Sequence, residues 1–212
     1  SDIYICDRLE CDINMVPLKE RSFFLRKKIS VNTTGNLENI ITYFESVNSL
    51  GGVFSYISTI IFNKNIWMVN EDEKMFIGTA YVHVFILLKS LIKGCKIQHI
   101  NKTLVLCRLG NDYFLNNGYI NRLMLDFKGY FAIANYFFKE NNAIYKSFVK
   151  ILKKEHPFKK IIIIYQHSAI KEFKKYLLQC GWSEFELSIA LFLSIILKKN
   201  GLLYKILKLL KK

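Results

Sequence analysis

Apolar positions change their spacing several times along the chain, and each change marks an expected element. Residues 3–6 and 11–16 are short β-like runs. Pro17 and the basic stretch 21–28 read as a connection. Asn36 precedes Leu37, Ile40, Ile41 and Phe44, so the spacing predicts a capped helix reaching about Val47. Asn48-Ser49-Leu50-Gly51-Gly52 breaks it. Residues 53–62 are rich in β-branched and aromatic side chains. They read as a strand, or as a buried segment entering a short helix near Asn65. Residues 70–74 read as a charged loop. Over 81–93, Val82, Phe85, Ile86 and Ile92 recur at helical spacing, and Gly94 ends the helix as a C′ glycine. Residues 95–100 and 103–107 read as two strands joined by an Asn101-Lys102 turn. From Tyr119 onward the pattern is helical, over 119–139, 142–153, 169–179, 184–198 and 202–211. Residues 158–165 stay open between strand, which four consecutive Ile favour, and helix, which the neighbours favour.

Helices and strands alternate up to about Cys107, and that order argues an α/β class. The expected organisation is a mixed α/β part over residues 1–110 and a helical, basic region over 111–212. The chain has 212 residues, which suits one domain with or without an appendage. Its 15% aromatic content excludes disorder. No apolar run approaches the roughly 20 residues that span a bilayer. The opening Ser1-Asp2-Ile3-Tyr4-Ile5-Cys6 reads as a strand rather than a signal peptide, and the missing Met suggests an engineered start or a fragment.

Charge sharpens the division. The net charge is +14. Residues 139–212 hold 16 Lys against 5 Glu, a net of +11; residues 1–138 hold 15 basic and 12 acidic groups, a net of +3. An acidic partner would therefore be met mainly by the last third, and both nucleic acid and anionic lipid have that character. Cys6, Cys11, Cys95, Cys107 and Cys180 are odd in number and form no CxxC pair, so free thiols and no metal site are expected.

Nucleotide-loop, zincin, nucleophile-elbow and dinucleotide fingerprints are all missing from the sequence. One stretch carries chemistry. Gly51-Gly52 lets backbone approach a ligand, and Ser55 places a hydroxyl beside it. Gly78-Thr79 opens a helix, where free N–H groups favour anionic or polyhydroxylated ligands. His83 falls in that helix's first turn.

The order Gly51-Gly52, Asn63-Lys64, helix 81–93, Gly94 and strand 95–100 resembles the acceptor-side half of a family 2 glycosyltransferase of the GT-A fold. Gly78-Thr79-Ala80-Tyr81-Val82-His83-Val84 resembles the local version in the abequosyltransferase-like group, which builds bacterial lipopolysaccharide and capsule. The resemblance covers about residues 1–130. It implies a partial GT-A-like mixed sheet with flanking helices, followed by the helical C-terminal region. It also implies an inverting enzyme that moves a sugar from a nucleotide-sugar donor to a lipid-linked saccharide acceptor. The family's donor-binding units and DxD aspartates precede the segment with which this sequence opens, and Asp2, Asp7 and Asp12 form no such triplet. The Mg²⁺ or Mn²⁺ expected in the family thus has no ligands assigned in this chain. The acidic base position falls on His83, whose ordinary pKa suits a base, though an acceptor contact or a metal ligand stays open. Asp72 is the second candidate. Gly51, Gly52, Ser55, Gly78, Thr79 and Tyr81 are the expected substrate-binding residues, with Trp67 or Tyr81 stacking on a sugar ring.

The last residues fit the same picture. Leu202, Leu203, Ile206, Leu207, Leu209 and Leu210 alternate with Lys205, Lys208, Lys211 and Lys212. On a helix this gives an apolar face beside a basic one, the pattern of helices that lie on anionic membranes. The expected place is the cytoplasmic face of the cell membrane, held peripherally. The competing reading is a non-catalytic basic helical module that binds anionic membrane or nucleic acid. No nucleic-acid motif supports the latter.

Overall fold

The computed structural model describes residues 1–26, 29–34, 36–67, 71–77, 79–111, 118–166 and 170–199, with backbone alone for 71–73, 170–171 and 198–199. The residues group into two compact units, Ser1–Glu155 and His156–Lys212.

In the first unit, strands β1 (Ile3–Cys11), β2 (Pro17–Arg21), β3 (Ser30–Asn32), β4 (Ile60–Phe62) and β5 (Lys96–Arg108) form one mixed sheet. The order is β2-β1-β5-β3, with β4 also paired to β1. β1 runs parallel to β5 and antiparallel to β2 and β4. Helices α1 (Leu37–Ser46), α2 (Val82–Lys93), α3 (Tyr119–Phe138) and α4 (Asn142–Glu155) flank it. The class is α/β, in keeping with a partial GT-A-like fold.

Two expected strands are corrected. Of residues 11–16, Cys11 ends β1 and 12–16 form the turn to β2 rather than a strand. Asp12 makes it: its carboxylate accepts the N–H groups of Asn14 and Val16 at 2.9 and 2.8 Å. Met15 takes the left-handed conformation there, with φ of 66°. Residues 95–107 are not a hairpin but the single strand β5. Pairing to β1 steps from Cys6↔Ile100 to Asp7↔Thr103 and Arg8↔Val105. Asn101-Lys102 is therefore absorbed as an irregularity of a continuous strand, because long-range parallel pairing outweighs a local turn signal.

The helix expectations hold where caps are local. The Asn36 side chain accepts the Glu38 N–H at 2.8 Å, and α1 buries Ile40, Tyr43 and Phe44. Gly94 closes α2 with φ of 103°, where a Cβ would lie 2.8 Å from the Thr34 backbone. α2 buries Val84, Phe85, Ile86, Leu87, Leu88 and Leu91, so it is apolar on most sides and serves as a core helix. Phe44, Phe138 and Phe148, from α1, α3 and α4, meet with ring centroids 5.1–5.7 Å apart. Residues 53–62 become a 3₁₀ turn (Ile57–Thr59) and the short β4, and a further 3₁₀ turn spans Glu71–Phe76. All five cysteines are free.

The second unit holds α5 (Phe158–Gln166), α6 (Ile170–Gln179) and α7 (Glu184–Lys199). The four Ile fall on a helix, with Ile161, Ile162 and Ile164 buried. Among the described residues no helix is long and apolar enough to cross a membrane. Residues 202–211, expected as an amphipathic helix, lie outside the described residues, as do Lys205, Lys208, Lys211 and Lys212.

Candidate active site

The segment from Ser49 to Ser55 turns back sharply. Leu50–Val53 is a 3₁₀ turn, and Phe54 follows in the left-handed conformation with φ of 70°. The reversal is closed by Phe54 N–H to Gly51 O at 3.2 Å and Ser55 N–H to Leu50 O at 3.1 Å. Gly51 and Gly52 are needed for packing. A Cβ on Gly51 would sit 2.2 Å from the Phe23 ring, and one on Gly52 would sit 2.9 Å from Val47. Both glycines are buried, and the Tyr43 hydroxyl donates to the Gly52 carbonyl at 2.6 Å.

This turn delivers the Ser55 carbonyl to His83, in the first turn of α2, with Nε2 at 3.3 Å. A carbonyl only accepts, so Nε2 carries the hydrogen and Nδ1 of the neutral ring keeps the lone pair. Burial lowers the His83 pKa below its ordinary value, opposed by the Ser55 and Phe54 carbonyls. The imidazole is therefore neutral at pH 7 and half-buried, a state fit to take a proton.

α3 supports the same corner. The Tyr81 hydroxyl donates to Asp126, which also accepts from Arg122 at 2.6 Å. Burial and then the Asp126 carboxylate push the Tyr81 pKa far up, so its phenol stays protonated. Its ring lies on Gly129, where a Cβ would approach to 2.2 Å, and edge-on to Tyr130 at 5.0 Å. Tyr130 in turn donates to the Val53 carbonyl at 3.4 Å. Tyr81 is thus buried in the wall behind the site. Thr79 is exposed; its hydroxyl donates to Phe76 O at 2.7 Å and accepts the Tyr81 N–H at 3.3 Å, fixing the approach to α2. Trp67 stacks on Phe62 at 5.1 Å. Asp72 falls in the 3₁₀ turn Glu71–Phe76, with its side chain outside the described atoms, and Gly78 lies outside the described residues.

Sequence reasoning missed a buried polar network behind the turn. Glu155, the last residue of α4, accepts the Leu50 N–H on Oε2 at 3.1 Å and Arg21 on Oε1 at 2.9 Å. Arg21 stands 3.7 Å from Glu10, and Glu10 accepts from Arg8 at 2.8 Å. The Arg8 guanidinium lies 3.8 Å above the Tyr56 ring. Burial favours the neutral form of Arg8, yet Tyr56 and Glu10 more than offset it, and its pKa rises. Two positive and two negative groups thus tie β1, β2 and α4 to the turn that holds His83. Nearby on the sheet, Asp7 accepts from His99 Nε2 at 2.9 Å, a second buried pair. No sequence signal announces Glu155: its partner Leu50 lies 105 positions away.

A separate cleft of about 450 Å³ opens between α2 and the starts of β1 and β5, lined by Asp2, Asn63, Asn65, Lys89, Ser90 and Lys93 among others. His83, Ser55 and Tyr81 are not on its wall. Among the described residues no group of three or more His, Cys, Asp or Glu is placed to hold a metal ion.

The chain is 37% identical over 161 residues to the curated abequosyltransferase RfbV of Salmonella typhimurium. The match takes in 74% of this chain and 48% of that protein, so the chain spans about half the length of this relative. No family model matches the chain, and no solved structure matches it.

Proposed function

From a chain that is a relative of the abequosyltransferase-like group of family 2 glycosyltransferases, we propose that it supplies the acceptor side of a transferase. The reaction moves a sugar from a nucleotide-sugar donor to a lipid-linked saccharide in bacterial surface-polysaccharide synthesis. One observation carries this reading: the 37% identity reaches across most of the chain.

His83 is the proposed base. Its Nδ1 takes the proton of the acceptor hydroxyl. That oxygen bonds to the anomeric carbon from the face opposite the nucleoside diphosphate, which leaves with the electron pair of the broken bond and inverts the centre. The Ser55 carbonyl holds Nε2–H, fixes the tautomer and stabilises the imidazolium that forms. Gly51, Gly52, Tyr81 and Tyr130 set this geometry from behind, and Ser55 and Thr79 face the acceptor. The Mg²⁺ or Mn²⁺ expected in the family would act on the diphosphate. The described residues offer it no ligand set, and the proposed steps use the chain's own side chains. Attachment is peripheral, at the cytoplasmic face of the membrane, with Lys205, Lys208, Lys211 and Lys212 toward anionic lipid.

The test is release of nucleoside diphosphate, with nucleotide sugars and lipid-linked acceptors, from the longest reading frame containing this chain. His83→Ala is expected to lower kcat by about 10²–10⁴-fold with the donor KM nearly unchanged. Near-normal turnover in that variant removes the base role. Acceptor-independent release, or none with any nucleotide sugar, removes the transferase reading.

A further inference from the structure

We propose that the outward face of α7 docks the protein on a bilayer containing anionic lipid. The proposal rests on the peripheral attachment above and names an apolar element for it. α7 packs inward through Leu187, Ala190, Ser194 and Leu197, all buried at helical spacing. Its opposite face is also apolar: Phe185 is 74% exposed, Ile189 37%, Phe192 62% and Ile195 49%. These four recur at intervals of four, three and three, so they form a continuous stripe about 15 Å long at the rise of an α-helix. A helix that is apolar all round belongs inside a larger protein or in lipid. Over its 16 described residues α7 is not long enough to span a bilayer, and the orientation that buries the stripe in lipid is flat in the interface.

Charge decides the occupant. The unit His156–Lys212 holds 11 Lys and 3 Glu, a net of +8. Two of those acids, at the start of α7, are already engaged. Glu184 meets Lys174 at 2.9 Å, and Glu186 accepts the Ser183 N–H at 2.7 Å in a reciprocal cap. A second copy seated on the same stripe would bring two strongly positive units together. An anionic lipid surface offers the opposite sign beside an apolar layer, the two properties that the unit's net charge and the stripe call for.

The measurement is co-sedimentation of the full chain with phosphatidylcholine vesicles, with and without phosphatidylglycerol. The expected result is binding that needs phosphatidylglycerol and falls about tenfold or more in the doubly substituted Phe185→Ser/Phe192→Ser protein, with unchanged thermal unfolding. The comparison protein carries Gln at Lys205, Lys208, Lys211 and Lys212. If it loses binding while the phenylalanine variant binds like wild type, the tail attachment stands and the α7 proposal is overturned. If wild type binds no vesicle, both are overturned, and the transferase assay still decides the activity on its own. If wild type is a dimer that the phenylalanine substitutions split, with vesicle binding unchanged, the stripe is a self-association face and the proposal is overturned.

Discussion

The two units of the chain stand out for different features. The first carries polar and charged groups inward: Arg8, Asp7, His99 and Glu155 are buried in it, each engaged by a neighbour. The second lines up exposed apolar groups along one helix, with Phe185 and Phe192 on α7. Burying an ion pair is seldom the cheapest route to stability. What the first unit gains is a fixed turn, because Glu155 and the two arginines hold Leu50–Ser55 where the Ser55 carbonyl meets His83. What the second unit gains is a surface. One unit holds geometry, and the other presents an apolar stripe.

That contrast can be broken from either side. The largest effect is expected from Glu155→Ala, which leaves the Leu50 N–H unpaired and Arg21 with Glu10 alone. The cost should be about 2–3 kcal/mol, most of it the unpaired Leu50 N–H, read from urea unfolding of the first unit. A cost below about 1 kcal/mol would show that the network is ornamental rather than a support for the turn. A smaller effect is expected in the second unit. Ser183→Ala removes the cap of α7 and should cost about 1 kcal/mol, with the first unit's transition unmoved. A shift of both transitions would show that the units do not respond separately.

The smallest effect is a pH dependence. The His83 pKa is lowered in the folded protein, mainly by burial. The unfolded chain therefore binds a proton first as pH falls below about 6.5, and stability contributed by neutral His83 is present above that pH and lost below it. His83→Gln should flatten the decline of the urea midpoint between pH 7.5 and 5.5. Identical slopes in variant and wild type would mean the ring titrates as it does in water.

Much of the fold was legible because its signals are local. Asn36 and Gly94 mark the ends of α1 and α2 within a residue or two of where they act. The 11–16 run misled because Asp12 and Met15 build a turn from residues that also suit a strand. The 95–107 region misled because β5 takes its register from β1, far away in sequence. The site divides in the same way. His83 stood out by its place in the first turn of α2 and by the family resemblance, whose base position falls on it. The Gly51-Gly52 pair was noticed, and the close packing of Phe23 and Val47 on it shows why the backbone there is bare. Glu155, Arg8 and Arg21 were invisible, since each is an ordinary charged residue until the fold brings them together.

The central place of β1 has a consequence for how the protein is made. β1 and β2 are neighbours in sequence and can pair early. The parallel partner of β1 begins at Lys96, so Ile3 waits for Ile97. At a synthesis rate of about 5–20 residues per second, one full edge of that strand stays open for several seconds on the ribosome. A sheet whose middle strand is completed last folds slowly and exposes pairing groups meanwhile. Production of this chain should therefore depend on holdase chaperones and low temperature more than its final stability would suggest.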